Sequence, residues 1–259
     1  MSEGSENLSR IQDQFRRQSE AYSKMAVVTD PKLLEQIASL AGAGARALDV
    51  ACGPGFVAMA LAAGFGAVAG IDATDRLIAR ARTEASARGI GNVAFAMADV
   101  GRMPLRSDSF DAVACRFAFH HFSDPRGVLA EMKRVCRSGG RIVIVDMTTA
   151  EDAGRADYHN RLERLCDPAH ARAIPISEWE AMFAEAGLRV ASKAGRESSY
   201  ELDAWMEHGG PPPERRAQIV AMMEASLAVD RCGLKVRREN GAIHFSHAGV
   251  TWTLEKPAA

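Results

Sequence analysis

The segment Asp49-Val-Ala-Cys-Gly-Pro-Gly55 decides the fold. The apolar residues leading into it predict a short buried strand, and the residues from Phe56 to Ala63 predict a helix. Because Gly53 and Gly55 carry no Cβ, the chain can turn sharply there and a ligand can approach the backbone. The free N–H groups at the start of the helix favour a negative group. Asp49, at the end of the strand, can meet an ammonium group.

Strands and helices alternate on both sides of this loop. Strands are predicted at residues 47–51, 67–71, 93–98, 110–115 and 141–147, and helices at 31–40, 56–63, 75–88 and 125–137, the last stopped by Gly139-Gly140. This spacing predicts right-handed crossovers and a parallel sheet with helices on both faces. The strands are then buried on both sides, which explains why they consist of apolar runs.

Beyond residue 147 the pattern changes. A helix is predicted from Ser177 to Ala186, with Ser177 as its N-cap and Glu180 completing a capping box. Two further strands are predicted at 188–199 and 242–254. The largely helical segments 150–176 and 202–235 contain too few apolar residues for a core of their own, so we expect them to cover the site and not to form a separate domain.

Two further acids close predicted strands. Asp72 follows the second strand, where a carboxylate can accept both hydroxyls of a ribose. Asp99 follows the third strand and is placed to accept from an exocyclic amine, while Val100 packs on the ring. A nicotinamide-dependent oxidoreductase is an alternative, because Gly53-x-Gly55-x-x-Ala58 formally matches the dinucleotide fingerprint. The stiff Pro54 between the glycines and the extra acid at Asp99 argue against it.

Composition excludes several classes of protein. The chain has 259 residues, 47% of them hydrophobic, and a net charge of −1, so no overall field attracts nucleic acid. No apolar stretch is long enough for membrane insertion, and no secretory signal is visible. The five cysteines include no CxxC pair, which favours reduced thiols in a cytoplasm over disulfides or zinc. Cys52 and Cys115 are expected to be buried packing residues.

Several stretches, taken in order, resemble the class I S-adenosylmethionine-dependent methyltransferases. They are DVACGPG ending at Gly55, Gly70-Ile-Asp72, Met97-Ala-Asp99, DSFDAVACRFAFHHFSDP ending at Pro125, and LAEMKRVCRSGGRIVIVD ending at Asp146. The resemblance implies an α/β, Rossmann-like seven-stranded sheet that is mostly parallel, with one antiparallel strand at 242–254, helices on both faces and a helical cap. It implies one domain with an N-terminal cap at 1–44, a cofactor-binding core at 45–147 and a completing part at 148–259.

The resemblance also implies the cofactor, S-adenosyl-L-methionine, and its product S-adenosyl-L-homocysteine. The glycine loop would hold the methionine end, Asp72 the ribose and Asp99 the adenine amine. The cofactor-binding residues expected from the matching positions are Tyr22, Asp49, Ala51, Gly53, Gly55, Asp72, Ala73, Asp99, Val100, Arg116 and Phe117.

Within this family the chain is most similar to the group that includes the ubiquinone and menaquinone biosynthesis methyltransferases, through Gln18-Ser-Glu-Ala-Tyr22 and the glycine loop. It departs from the quinone enzymes at Val145-Asp146-Met147, where those have Glu-Phe-Ser. The implied reaction is in-line methyl transfer to a C, O or N nucleophile of a small-molecule acceptor. The alternative within the family is a member that binds the cofactor without methylating, as a sensor, a partner subunit or a cyclase.

An acceptor that must lose a proton needs a base. His121 is the first candidate and His120 the second, because both follow the fourth strand near the point where ligands collect in open α/β sheets. Since adjacent side chains tend to point apart, His120, His121 and Asp124 are not expected to bind metal, and no other metal site is expected. Arg161, Asp167 and His170 are candidate substrate-binding residues. The sequence leaves open whether the chain forms a homodimer.

Overall fold

The computed structural model describes residues 7–16 and 29–258, and a nine-stranded sheet lies at its centre. The strands are β1 Gly44–Val50, β2 Phe65–Asp72, β3 Val93–Met97, β4 Phe110–Arg116, β5 Cys136–Thr149, β6 Ile174–Pro175, β7 Arg189–Glu201, β8 Arg237–Glu239 and β9 Ala242–Glu255. The described helices are α1 at 7–16, α2 Pro31–Ala41, α3 Phe56–Leu61, α4 Asp75–Ala87, α5 Pro125–Val135, α6 Ala153–Cys166, α7 Ile176–Glu185, α8 Leu202–Gly209 and α9 Pro213–Leu227.

Seven strands follow the order β3-β2-β1-β4-β5-β9-β7, and the short β6 and β8 pair at the side of β5 and β9. The first five strands of this order run parallel, while β9 lies antiparallel to both of its neighbours. The predicted fold class, a mostly parallel Rossmann-like sheet with one antiparallel strand, is therefore confirmed. The predicted count of seven strands was too low, because the sheet also contains the short strands β6 and β8.

Two hydrophobic cores lie on the two sides of the sheet. Leu48 and Val50 of β1 belong to one core, which also holds Trp179 and Trp252. Ala47 belongs to the other, with residues of α2, α3 and α4. Neighbouring residues of a strand point to opposite faces, so both faces of β1 are buried. The end of β1, which carries Asp49 and Val50, is therefore enclosed on both sides.

A third hydrophobic cluster joins the two segments that were expected to cover the site. Leu162 of α6, Met206 of α8, Ile219 of α9 and Phe245 of β9 all belong to it. The expectation that neither segment builds a core alone agrees with this arrangement, because the cluster needs both segments and the sheet. The single-domain organisation stays a prediction.

Two local predictions were wrong. The glycines Gly139 and Gly140 do not end α5, which already ends at Val135; they lie inside β5. A Cβ on Gly140 would stand 2.7 Å from the Cys136 sulfur, so close packing, not a helix stop, requires glycine. Ser177 is not an N-cap, because α7 begins at Ile176 and Ser177 instead hydrogen-bonds Glu151.

All five cysteines are buried and free, as expected for Cys52 and Cys115. Among the described residues, no helix has the length and apolar character that a membrane crossing would need.

Candidate active site

The turn after β1 carries Asp49 at its entrance. The Asp49 carboxylate is 1% exposed, and its Oδ2 accepts a hydrogen bond of 2.9 Å from the backbone N–H of Ala58 in the first turn of α3. Burial raises the pKa of Asp49 to about 7, an effect that the positive charge of Arg116 partly offsets. A buried carboxyl group in this state is stabilised as an anion when a cation comes close.

Backbone strain marks the same turn. Ala51 has a φ of 53°, in the left-handed region that only glycine adopts without cost, and Gly53 has a φ of 51°. Phe117, which follows the neighbouring strand β4, has a φ of 52°. Two non-glycine residues at adjacent strand ends are therefore held in strained conformations beside one cavity, as is common at ligand-binding sites.

Asp72 ties the glycine loop to the end of β2. Its Oδ2 accepts from the N–H of Gly53 at 2.9 Å, and its Oδ1 accepts from the N–H of Thr74 at 2.8 Å. Burial raises the pKa of Asp72, and these backbone hydrogen bonds work against that shift. Asp72 thus shapes the loop in addition to facing the cavity, a structural role that the sequence did not reveal.

A cavity of about 50 Å³ lies between these residues and helix α1. It is lined by Ile11, Phe15, Ala51, Gly53, Asp72, Thr74, Leu77, Phe117, Ala118, His121 and Phe122. Small-molecule sites usually enclose about 300–1,000 Å³. Ile11 and Phe15 of α1 reduce this cavity, and the side chain of Gln12 donates to the Ala73 carbonyl at 3.0 Å. Helix α1 therefore covers the site as a lid.

The remaining candidate cofactor-binding residues lie outside the lining of this cavity or outside the described residues. Asp99 and Val100 do not line it: Asp99 is exposed and accepts from the N–H of Gly101 at 2.8 Å. Arg116 is buried, with its guanidinium 5.5 Å from the centre of the Phe117 ring. Tyr22 lies outside the described residues.

His120 and the buried Asp146 form a close pair. Nδ1 of His120 lies 2.6 Å from Oδ1 of Asp146, which is 2% exposed. Oδ2 of Asp146 accepts from the backbone N–H groups of Ala118 and Phe119, at 3.1 and 2.8 Å. One carboxylate thus fixes both the imidazole and the turn that carries it. Asp146 was not among the predicted site residues, although its place near the end of the predicted strand at 141–147, like those of Asp49 and Asp72 near theirs, was the available signal.

The pKa values of the two adjacent histidines are shifted in opposite directions. Burial alone would lower the pKa of His120, but Asp146, with smaller contributions from Asp167 and Glu163, holds it above its ordinary value. Burial and the neighbouring His120 lower the pKa of His121 to about 4. The expectation that the two side chains point apart was wrong. They share a tight 3₁₀ turn, and their ring centres are 4.1 Å apart.

The structure brings two of the three substrate candidates to this turn. His170 is buried, its ring centre is 5.7 Å from that of His120, and burial lowers its pKa to about 2. Oδ2 of Asp167 lies 4.0 Å from Nδ1 of His121. Arg161 is exposed and instead lies over the ring of Tyr158, at 5.1 Å.

A second cavity, of about 320 Å³, adjoins the first through Phe122. Its lining includes His170 and three arginines, Arg10, Arg164 and Arg172, but no acidic residue. Arg172 is already paired with Glu178 at 2.5 Å. The other two arginines give this cavity a positive potential.

S-adenosylmethionine matches the residues at the first cavity by chemistry. The Asp72 carboxylate lines the cavity and suits ribose hydroxyls. The buried Asp49 carboxyl group is not part of the lining, but it precedes the lining residue Ala51 by two positions and its chemistry suits the ammonium of the methionine end. The turn at Gly53 provides backbone that a ligand can approach. The cavity of about 50 Å³ is smaller than this ligand, so we expect α1 to be displaced when the cofactor binds.

Comparison with known proteins identifies the family of the chain. A family model described as a methyltransferase domain matches residues 48–144. The methyltransferase YcgJ of Bacillus subtilis is 36% identical over 175 residues, which cover 68% of this chain and 69% of YcgJ. A demethylmenaquinone methyltransferase of Clavibacter sepedonicus is 38% identical over 41% of this chain and 43% of its own length.

Solved structures give the same result. The structure of YcgJ superposes with a TM-score of 0.79 at 31% identity, covering 87% of this chain and 98% of that one. A Bacillus halodurans protein superposes with a TM-score of 0.82 at 26% identity, covering 87% of this chain and 99% of that one. The carboxyl-edge site, the sheet order and these relatives together lead to one conclusion: the chain belongs to the class I S-adenosylmethionine-dependent methyltransferases.

Proposed function

We propose that this protein transfers a methyl group from S-adenosylmethionine to an acidic hydroxyl, such as a phenol or enol, of a small-molecule acceptor. The observation that carries the proposal is the His120–Asp146 pair, with 2.6 Å between Nδ1 and Oδ1, on the turn that also lines the cofactor cavity. A histidine held in this way by a buried carboxylate is suited to take up a proton.

The proposed cofactor-binding residues stay those of the sequence analysis. Asp49 holds the ammonium group and Asp72 the ribose, while the strained backbone at Ala51 and Gly53 lies along the methionine end. Asp99 and Val100 are exposed or half-buried at the end of β3, where they would meet the adenine at the edge of the site.

When bound, the cofactor supplies an electrophilic methyl group on a sulfonium. His120 uses Nδ1 to bind Asp146, which leaves Nε2 as the basic atom that accepts the proton of the acceptor hydroxyl. With the cofactor bound, removal of this proton would leave the acceptor oxygen able to take the methyl group, and S-adenosylhomocysteine would be the second product. Asp146 stabilises the imidazolium that results, as an oriented carboxylate does in other His–Asp pairs.

Positioning and exclusion of water fall to the covering elements. Holding the oxygen and the methyl carbon in line can remove about 7–11 kcal/mol of barrier in favourable cases. Helix α1 closes one side of the site, and the loop with Asp167 and His170 closes another. The positive potential at Arg10 and Arg164 favours an acceptor that carries negative charge.

The test is methyl transfer to a panel of phenols, enols, alcohols and primary amines, read out as S-adenosylhomocysteine formed. We expect phenols or enols to react, and His120→Ala and Asp146→Asn to lose most of that turnover while retaining cofactor binding. Reaction with amines alone, unchanged in both variants, would refute the assigned acceptor class and base.

A further inference from the structure

Three buried side chains that take no direct part in the proposed proton transfer lie together near Thr149, at the end of β5. They are His159 and Glu163 of α6 and His247 of β9, and one ligand atom from each lies within 4.8 Å of the other two. We propose that His159, Glu163 and His247 bind a divalent transition-metal ion of the Zn²⁺ type. This inference does not depend on the acceptor or on the base proposed above.

The donor set has the composition of a known type of site. Two imidazoles and one carboxylate are a common three-ligand set for Zn²⁺, and imidazole suits several first-row ions. His159 and Glu163 are four residues apart on α6, so they share one face of the helix. His247 reaches them from β9, 84 residues further along the chain than Glu163.

The hydrogen bonds of the cluster leave one ligand atom without a well-formed hydrogen bond. Oε1 of Glu163 lies 2.8 Å from Nε2 of His247, with which it shares a hydrogen bond. The same oxygen lies 3.3 Å from Nε2 of His159. That nitrogen is buried in a residue with 0% exposure and has no hydrogen bond of normal geometry. An unpartnered buried nitrogen is costly, and a cation held by all three residues would satisfy it.

A residue behind the cluster orients the first ligand. Nδ1 of His159 lies 3.0 Å from the hydroxyl of Thr149, at the end of β5. When Nδ1 donates to this hydroxyl, Nε2 presents its lone pair to the centre of the cluster. Metal-binding histidines are oriented in this way through their second ring nitrogen.

The surroundings of the cluster are aromatic and dry. The His247 ring contacts the rings of Phe245 and Tyr200, with 5.1 and 5.2 Å between centres. An anionic carboxylate in an apolar shell favours a bound cation.

No metal site was expected from the sequence, where His247 lies far along the chain from His159 and Glu163. Only the pairing of β9 with β5 and β7 brings His247 beside α6. A bound ion would therefore link the covering helix to the sheet.

The test is metal binding by the full chain after dialysis against a chelator. Zn²⁺ and Co²⁺ are titrated separately, and bound metal is measured together with the visible spectrum of the Co²⁺ form. We expect one equivalent of metal per chain and Co²⁺ bands typical of nitrogen and oxygen ligands. No bound metal in the wild-type protein, or a strong thiolate-to-cobalt band from a cysteine ligand, would overturn the proposal.

Variants locate the site. Thr149→Val keeps the volume of the side chain and all three ligands, and it should weaken binding by about 10–100-fold because it removes the partner that orients His159. His159→Ala should abolish stoichiometric binding. His244→Ala removes a neighbouring histidine of β9 outside the cluster and should bind metal like the wild type. His120→Ala should also bind normally, and loss of metal in that variant alone would place the metal at the other histidine pair and overturn the assignment.

Discussion

The ring of Phe15 meets the ring of His121 edge-on, with 5.2 Å between their centres and 87° between their planes. This contact joins the lid helix α1 to the turn that follows β4, across the cofactor cavity. Because Phe15 and His121 both line that cavity, we expect a ligand that fills it to break this contact.

Phe15→Ala should therefore speed the association of S-adenosylhomocysteine, since the open form would be populated more often. Stopped-flow measurement of the association rate would test this. Arg16→Gln is the control: Arg16 belongs to the same helix, but its side chain forms a surface ion pair with Asp75 at 2.9 Å, and such pairs contribute little. Equal rates in the wild type and in Phe15→Ala would show that α1 is not the barrier to binding.

Gly53→Val should abolish cofactor binding. Gly53 has a φ of 51°, which a β-branched residue adopts only with strain, and its side chain would enter the space for the methionine end. Gly89→Val is the matched control, because Gly89 has a φ of 67° and a Cβ there has no neighbour within 4 Å. Calorimetry on the two folded variants separates loss of backbone freedom from loss of the site. Similar affinities in both would place the methionine end elsewhere.

Asp72→Ala should weaken both cofactor binding and the fold. It leaves the N–H groups of Gly53 and Thr74 without their carboxylate partner, and an unsatisfied buried donor costs about 1–3 kcal/mol. Asp72→Asn keeps one acceptor oxygen and should be more stable than Asp72→Ala. Urea denaturation and calorimetry measure the two effects. Unchanged cofactor affinity in a folded Asp72→Ala protein would reject the ribose role.

The alternating core could be predicted from sequence because the parallel strands contain apolar runs, and β1 and β2 carry an acid at or beside their last residue. Asp49, Gly53 and Asp72 could be assigned to the carboxyl edge for the same reason. What the sequence could not supply was pairing between side chains. Asp146 binds His120 only because β5 lies beside β4 in the sheet, and the lid position of α1 depends on packing across the cavity.

The pH dependence of turnover should distinguish the two histidines. A base works when it is neutral, so the rate should rise as pH increases through a pKa of His120 that lies above its ordinary value. The groups that face His120 are Asp146, Asp167, Glu163, His121 and His170. Asp146→Asn removes the main charge that raises this pKa, so the profile should move to lower pH.

His120→Ala should lower kcat by about 10²–10⁴-fold and remove the rise with pH. His121→Ala should retain the rise, because burial keeps the pKa of His121 at about 4; its effect should fall on cofactor affinity, since His121 lines that cavity. A pH profile lost in His121→Ala and kept in His120→Ala would reverse the roles.

Asp49 should couple cofactor binding to proton release. Its pKa of about 7 in the folded protein lies above the value of about 3.9 in an unfolded chain, and Arg116 and Asp72 are the charged groups that face it. The native state therefore keeps a proton that the unfolded state has lost between these two pH values. The free energy of unfolding should fall by at most about 1.4 kcal/mol per pH unit as pH rises through that window. An approaching ammonium group favours the carboxylate, so binding should expel the proton.

Calorimetry of S-adenosylhomocysteine binding near pH 7, in buffers with different heats of ionisation, should show up to one proton released by the wild type. Asp49→Asn keeps an oxygen that can accept from the Ala58 N–H but has no proton of this kind to lose. It should show less proton release and a flatter dependence of stability on pH, together with weaker binding. The same proton release in both proteins would mean that another group titrates, and Asp49 would then be a capping residue of α3 without contact to the ammonium.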